Sequence, residues 1–288
     1  MMRWLILLPP FVWLALLVAA PIGILAAIAL AEAGPGVPPF LPPFAWGTAG
    51  LAWQGSLENF RSLVADGYYL GALLRSLGVA GVTAGLCLLL AYPMALGIAG
   101  ARPAWRMPLL LLVLLPFWTG FLPRIGAWIG LLRDGGWVNG LLGALGFGPL
   151  RLLYTDTALW LGMVHAYLPF AVLPLALALL KRDLALEEAA ADLGAGRFTV
   201  FRSITLPLSL PAAAAGFLLV CIPAAGEFVI PELLGPPEAL LVGRALWGEF
   251  FQNRDWPLAA ALAIALLAVL VLPIRLFQRL GVPRLGSR

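Results

Sequence analysis

Charged side chains make up only 11% of the 288 residues, against 62% that are hydrophobic, where soluble chains average about 25% and about 45–50%. So little charge excludes a water-soluble globule, because one aqueous core of this size cannot hide that much apolar surface. A mean hydropathy of +0.98 excludes intrinsic disorder as well. The two cysteines, Cys87 and Cys221, both lie in apolar runs; they exclude a disulfide-built scaffold and read as small packing residues. The single lysine, Lys181, is followed by an arginine and lacks a glycine loop before it, so a phosphate loop for ATP is excluded. With one histidine, His165, no G-x-S-x-G elbow and no C-x-x-C pair, neither a zinc hydrolase nor a serine or dithiol enzyme is legible. The chain is expected to be no enzyme and to bind no cofactor or metal itself.

What the sequence has in quantity is uncharged apolar stretches of helical length. A bilayer core about 30 Å thick takes about 20 helical residues. Six stretches qualify: 4–31, 76–100, 107–132 (interrupted by Arg124), 157–180, 206–226 and 256–274. They lack the ten-residue alternation of barrel strands, so an all-α membrane protein of six spans is predicted. The first stretch ends Ala29-Leu30-Ala31, which resembles a signal-peptidase site. It is about twice the length of a signal core and carries a single early charge, Arg3, so a retained helix is expected.

With the amino terminus placed in the cytoplasm, eleven of the 18 Lys and Arg fall inside, including Arg279, Arg284 and Arg288, against four of the 14 carboxylates. That bias predicts both termini cytoplasmic. The net charge of +4 then reflects topology and anionic lipid rather than nucleic acid. The first outer loop, with prolines at 35, 38, 39, 42 and 43, is expected to be a non-helical spacer.

The longest inner loop, 181–205, reads as two short helices joined by glycine. Asp183 can cap the first, Glu187 and Glu188 suit its early turns, and Leu186, Ala189, Ala190 and Leu193 share a face. Gly194 supplies a left-handed stop, Phe198, Phe201 and Ile204 recur at three-residue intervals, and Pro207 is expected to open the next span. A hairpin with a small-residue face and a charged rim reads as a docking element, against the plainer reading of a solvated connector.

The pattern Glu188-Ala189-Ala190, then Gly194, then Ile204-Thr205-Leu206-Pro207 resembles the EAA loop of permease subunits of binding-protein-dependent ABC importers. Pro116-Phe117-Trp118-Thr119, the block Gly226-Glu227-Phe228-Val229-Ile230-Pro231-Glu232-Leu233-Leu234-Gly235 and Asn253-Arg254-Asp255-Trp256-Pro257 are similar to the polyamine branch of that family, the putrescine and spermidine permeases. The 226–235 block looks nearest its putrescine member. The resemblance runs over about residues 57–280. It implies a type I importer core at 69–278, preceded by a first helix and proline-rich outer loop at 1–68 and followed by a basic cytoplasmic tail at 279–288. It further implies a bacterial inner-membrane permease whose partners are an ATPase dimer, a second permease subunit and a periplasmic polyamine-binding protein. In that family the loop couples to the ATPase, which gives Glu188, Ala189, Ala190, Gly194, Ile204, Leu206 and Pro207 that role here.

A polyamine is a flexible polycation, so its path needs carboxylates to replace water and aromatic faces for its methylenes. Trp118, Glu227, Glu232, Glu249 and Asp255 supply these near the outer side, with Trp247 and Trp256. Pro223, Gly226 and Pro231 are expected to break the fifth span beside Glu227. Taken singly, the same residues read as interfacial anchors. His165 reads as structural; Arg124 would snorkel or pair with an outer carboxylate; Gly81 with Gly85, and Gly126 with Gly130, have close-packing spacing. The competing functions are the same machine for an opine, an aminophosphonate or thiamine, and an ion-driven secondary carrier, which would need the inverted repeats and mid-membrane charges that are not seen.

Overall fold

The computed structural model describes residues 2–47 and 50–281; Arg284 and Arg288 in the expected tail lie outside the described residues. The helices are α1 (Met2–Leu14), α2 (Ala20–Ala29), α3 (Glu58–Ala65), α4 (Gly67–Gly100), α5 (Pro103–Trp118), α6 (Phe121–Leu132), α7 (Trp137–Ala144), α8 (Asp156–Leu180), α9 (Leu184–Asp192), α10 (Arg197–Val200), α11 (Leu206–Ala225), α12 (Val229–Leu234), α13 (Val242–Trp247) and α14 (Trp256–Gly281). Three π-helical turns, Ala15–Ala19, Phe201–Thr205 and Gly248–Gln252, interrupt or extend them. Among the described residues, five helices are long and apolar enough to cross a membrane: Leu7–Ala29, Gly67–Gly100, Asp156–Leu180, Arg197–Ala225 and Trp256–Arg275. A bent pair, Pro103–Trp118 with Phe121–Ala144, counts as a sixth when taken as one broken span. Helices dominate because a backbone in hydrocarbon must satisfy its own N–H and C=O groups.

Four expectations are corrected. The stretch 107–132 is not one straight span: α5 and α6 meet at 88°. Thr119 and Gly120 take extended angles (ψ 140° and 147°), and Pro123 has no N–H to return to the carbonyl four residues back. Nor does Pro207 open a span. The helix runs unbroken from Arg197 to Ala225, and the missing N–H of Pro207 is absorbed by the π turn, where the Leu206 N–H reaches back five residues to the Phe201 carbonyl.

The proline-rich loop is more than a spacer. Glu32–Ala33 (β1) pairs antiparallel with Phe40–Leu41 (β2), and Phe44–Gly47 (β3) with Gly50–Trp53 (β4), so these strands are the exception to an all-helical chain. Finally, a Cβ at Gly81, Gly85, Gly126 or Gly130 would meet nothing within 4 Å, so these glycines bring no described helices of this chain together. Gly162 and Gly216 do so instead. A Cβ at Gly216 would lie 3.2 Å from the Ala171 carbonyl, which brings α11 onto α8. At Gly162 it would lie 2.5 Å from Leu234 Cδ1 and 2.9 Å from Ile230 Cγ2, so α12 rests on α8.

The described residues form two compact units, one from Met1–Arg75 with Leu240–Leu270 and the other from Ser76–Ala239 with Val271–Arg288. In the first, Leu7 to Val18 present their large side chains outward, as a lipid-facing helix does. The carboxyl end of α2 is closed by long-range bonds: Asn59 Nδ2 donates to the carbonyls of Ala29 (2.9 Å) and Ala31 (2.8 Å), and the Ser56 N–H donates to that of Leu30 (2.8 Å). In the second unit α8 is central. At 25 residues it reaches about 37 Å at 1.5 Å each. It buries Leu159, Met163, Val172 and Leu175 against its neighbours.

Because Leu234 and Ile230 are both fully buried, they have no free volume into which to retreat from a new methyl group. Gly162→Ala should therefore destabilise the chain by about 1–3 kcal/mol, while Gly81→Ala should leave it unchanged or slightly more stable. Thermal unfolding of both variants in one detergent checks this, and equal midpoints would refute the cradle at Gly162.

Candidate functional site

The hairpin joining α8 to α11 forms as its residues require. Asp183 Oδ1 accepts the Ala185 N–H (3.0 Å) and so caps α9, with Glu187 in the first turn where the helix dipole favours a negative charge. Gly194 sits at φ +86°, the left-handed conformation expected of it. Beside it, the N–H of Ala195 bonds to the Ala190 carbonyl (3.0 Å) and that of Gly194 to the Ala191 carbonyl (2.9 Å), which satisfies the last carbonyls of α9.

Glu188 and Ala189 are exposed on α9; Ala190, Ile204 and Leu206 are half-buried; Pro207 is exposed. Leu186, Leu193 (90%) and Phe198 (73%) present large apolar groups outward. A partner covering them would gain about 1.5–3 kcal/mol for each side chain fully buried. Sequence reasoning missed the job of Glu187. Its Oε1 accepts the Thr205 hydroxyl (2.8 Å) and faces Arg182 Nε at 3.3 Å, which ties α9 to the base of α11. Only the fold brings those residues together, so no local pattern announces the contact.

At the other end of α11 the helix stops at Gly226, as the sequence predicts, and α12 restarts three residues on. Glu227 fills the gap. Its Oε1 accepts the N–H groups of Phe228 (3.2 Å), Val229 (2.9 Å) and Ile230 (3.4 Å), and its Oε2 accepts the Tyr167 hydroxyl at 2.5 Å. The carboxylate is thus the cap of α12. Oε2 has one donor among the described residues and lone-pair capacity for another. Tyr167 tilts against Phe170 (6.2 Å between centroids), which meets Phe117 edge-on (5.2 Å), so aromatic faces line up beside the carboxylate. Trp118 follows Phe117 and is 79% exposed; Glu232 is exposed on α12.

Arg124 is half-buried and pairs with no carboxylate among the described residues. Its Nη1 donates to the Pro116 carbonyl (2.8 Å), which also accepts the Thr119 hydroxyl (2.7 Å), and its guanidinium lies over the rings of Phe117 (5.9 Å) and Phe121 (5.6 Å). It therefore seals the end of α5 at the 88° bend. His165 meets the Trp128 ring edge-on at 5.5 Å, in keeping with a packing role.

Glu249 and Asp255 belong to the first unit and come together there. Glu249, 8% exposed, accepts the Tyr69 hydroxyl (2.8 Å) and the Asn253 amide (2.9 Å). The Asp255 N–H donates to the Glu249 carbonyl (2.9 Å), and Asp255 Oδ1 caps α14 through the Leu258 N–H (3.0 Å). Around them Phe250 stacks on Trp256 (4.7 Å, 7°) and Trp247 lies against Phe251 (4.2 Å). Glu227, Glu249 and Asp255 thus each carry a structural bond, which their spacing alone does not reveal.

A broken helix beside a half-buried carboxylate thus lies at one end of α11, and a capped, exposed hairpin at the other. The fold is that of solved ABC transporters. A bacterial transporter for the acidic polysaccharide alginate matches with a TM-score of 0.65 at 20% identity, over 96% of this chain and 95% of that one. The alginate transporter in complex with its pentasaccharide-bound periplasmic protein matches at 0.68 and 19%, over 99% and 96%. The chain belongs to the family described as binding-protein-dependent transport system inner membrane component, matched over residues 1–287. Among its relatives, the spermidine/putrescine transport system permease protein PotB of Haemophilus influenzae is 39% identical over 79% of this chain and 80% of its own length. PotB of Escherichia coli K12 is 38% identical over 78% and 82%, and the inner membrane ABC transporter permease protein YdcU of the same organism is 29% identical over 80% and 82%.

Removing the Glu227 carboxylate strands three N–H groups and a phenol. Glu227→Ala should lower stability by about 1–3 kcal/mol, and Glu227→Gln, which keeps a carbonyl acceptor, by less. Thermal unfolding of the two variants checks this order; an alanine variant as stable as the parent would show that the cap carries no load.

Proposed function

We propose that the chain is the permease subunit of an ATP-driven importer for polyamines of the putrescine and spermidine class. The observation that carries the reading is the hairpin at 181–205. A capped α9, a left-handed Gly194 and an outward apolar face formed by Leu186, Leu193 and Phe198 make a built surface that the described residues leave open. The likeness to PotB over 78–79% of the chain supports the choice of solute.

On this reading both termini are cytoplasmic, residues 69–278 form the transport core, and ATP is bound by a separate ATPase dimer, not by this chain. The α9 hairpin, with Glu188, Ala189, Ala190 and Gly194 and the Ile204-Leu206-Pro207 stretch behind it, seats in the ATPase. A second permease subunit, expected to be a paralogue, completes the membrane path. A polyamine-loaded periplasmic protein docks on the outer side, and affinity for the cation differs between outward and inward states, as any cycle that moves a solute requires. Glu227 Oε2, flanked by Tyr167 and the aromatic faces beyond it, offers an ammonium group a desolvated partner. Trp118, Glu232, Glu249 and Asp255 are the other proposed path residues.

Labelled putrescine uptake tests this in proteoliposomes holding the chain with its neighbouring permease and ATPase, the binding protein outside and ATP inside. ATP-dependent uptake that unlabelled spermidine blocks is expected, as is a several-fold drop with Glu227→Gln at unchanged assembly. A complex whose ATPase answers only to a different loaded binding protein would overturn the polyamine assignment.

A second prediction concerns coupling. Gly194→Pro cannot adopt φ +86°, and Ala190→Glu sets a bulky charge on the docking face. Either should lower solute moved per ATP hydrolysed by about tenfold or more, or release the ATPase on purification; a wild-type ratio in both would overturn the docking role.

A further inference from the structure

A continuous polar chain crosses the second unit at the base of α11, and none of it is required by the path or by the docking face. It begins at Arg182, just past the end of α8, whose Nε faces Glu187 Oε1 on α9 at 3.3 Å. The same oxygen accepts the hydroxyl of Thr205 (2.8 Å), the last residue of the π turn. Thr205 offers its carbonyl to the Ser209 hydroxyl (2.7 Å), one turn along α11. Ser209 Oγ lies 2.6 Å from the Tyr92 hydroxyl on α4. Ser209 Oγ also lies 3.1 Å from the Leu206 carbonyl, and either hydroxyl can donate in the bond between Tyr92 and Ser209.

The links therefore run from α4 through α11 and the π turn to α9 and the end of α8. Thr205 and Ser209 are 6% and 3% exposed, and Glu187 and Arg182 are only about one-fifth exposed. Tyr92 also meets the Phe201 ring edge-on at 5.9 Å, so the π turn is held on both flanks. Thr205 and Ser209 are the buried links, so losing a hydroxyl there leaves its partner's polar atom stranded, while Arg182 and Glu187 border a cavity of about 330 Å³.

This position is where rigidity matters. A π turn is a weak point in a helix, often found at functional sites. Left free, it would let α9 and α10 swivel while α11 stayed still. We propose that the chain Tyr92–Ser209–Thr205–Glu187–Arg182 is a brace that makes α9 move as one body with the base of α11 and with α4. Its members are positioning residues: they set how much of the displacement of α9 reaches the spans. The proposal rests on the docking reading given above.

The test uses the whole complex in proteoliposomes and reads putrescine transported per ATP hydrolysed, beside ATPase retention on purification and the melting midpoint. Thr205→Val removes only the hydroxyl at nearly constant shape, Thr205→Ser restores it, and Tyr92→Phe cuts the other end. Both losses should lower the transport-to-hydrolysis ratio by about threefold to tenfold, the range expected of one lost buried hydrogen bond in a two-state element. ATPase retention should be unchanged. Thr205→Ser should recover the ratio, and the double variant should be no worse than the worse single one, because both cut the same chain. Should Thr205→Val fail to assemble, Tyr92→Phe decides alone. A wild-type ratio in the assembled variants, or additive losses in the double variant, would overturn the brace. A wild-type chain that retains no ATPase would overturn the docking reading and this role with it.

Discussion

A backbone inside hydrocarbon has no water to turn to, and the structure is shaped by that constraint wherever a helix stops. Several interruptions are closed by a side chain aimed at the loose ends. Asn59 takes the carbonyls of Ala29 and Ala31. Arg124 and Thr119 share the Pro116 carbonyl at the bend between α5 and α6. Glu227 collects three N–H groups at the start of α12, Asp255 caps α14, and Asn139 bridges both backbone groups of Leu150 after α7 (2.9 Å each). The few polar residues in this apolar chain are concentrated at these breaks, which is why so many of the residues that look functional in the sequence also carry a structural bond.

The two roles need not exclude each other. A carboxylate that caps a helix start is held in one geometry by its donors. Such a group is pre-organised for a cation, since the ordering that binding would otherwise require is already complete. Glu227 fits this description better than Glu249. Oε1 of Glu227 is crowded by three N–H groups while Oε2 carries the Tyr167 hydroxyl alone among the described residues, whereas Glu249 has a side-chain donor on each oxygen. If either carboxylate meets the solute, the chemistry favours the one at the break in the second unit.

Much of this was legible in the sequence, and what was not has a common cause. Long uncharged runs revealed the spans because hydrocarbon thickness is a local, additive constraint on a segment. Asp183 and Gly194 were legible because a cap and a left-handed stop are decided within a few residues. The bend at Thr119 was hidden because apolar composition continues straight through it. The helix from Arg197 to Ala225 looked like two because Pro207 reads as a start signal, and nothing in the sequence states that a π turn will absorb its missing donor. The partners of Glu187, Glu227 and Glu249 lie 18, 60 and 180 positions away. Residue types suggest that such carboxylates are engaged, but only the fold says by what.

The placement of the breaks bears on how a subunit of this design would work. α10, the π turn and α11 form one helix from Arg197 to Ala225, which at 1.5 Å for each of its 29 residues makes a rod of about 43 Å. Its weak turn, Phe201–Thr205, lies near the hairpin and is clamped by Tyr92, Ser209 and Glu187. Its true break, Gly226–Phe228, lies at the far end and is held by a single carboxylate. Force applied at the hairpin would meet a stiff joint first and a compliant one last. A rod stiff where it is pushed and jointed where the solute is proposed to pass delivers motion to α12, the element that Gly162 lets rest directly on α8. The same sequence of joints in reverse, loose at the hairpin and rigid at Glu227, would dissipate the push before it reached the path.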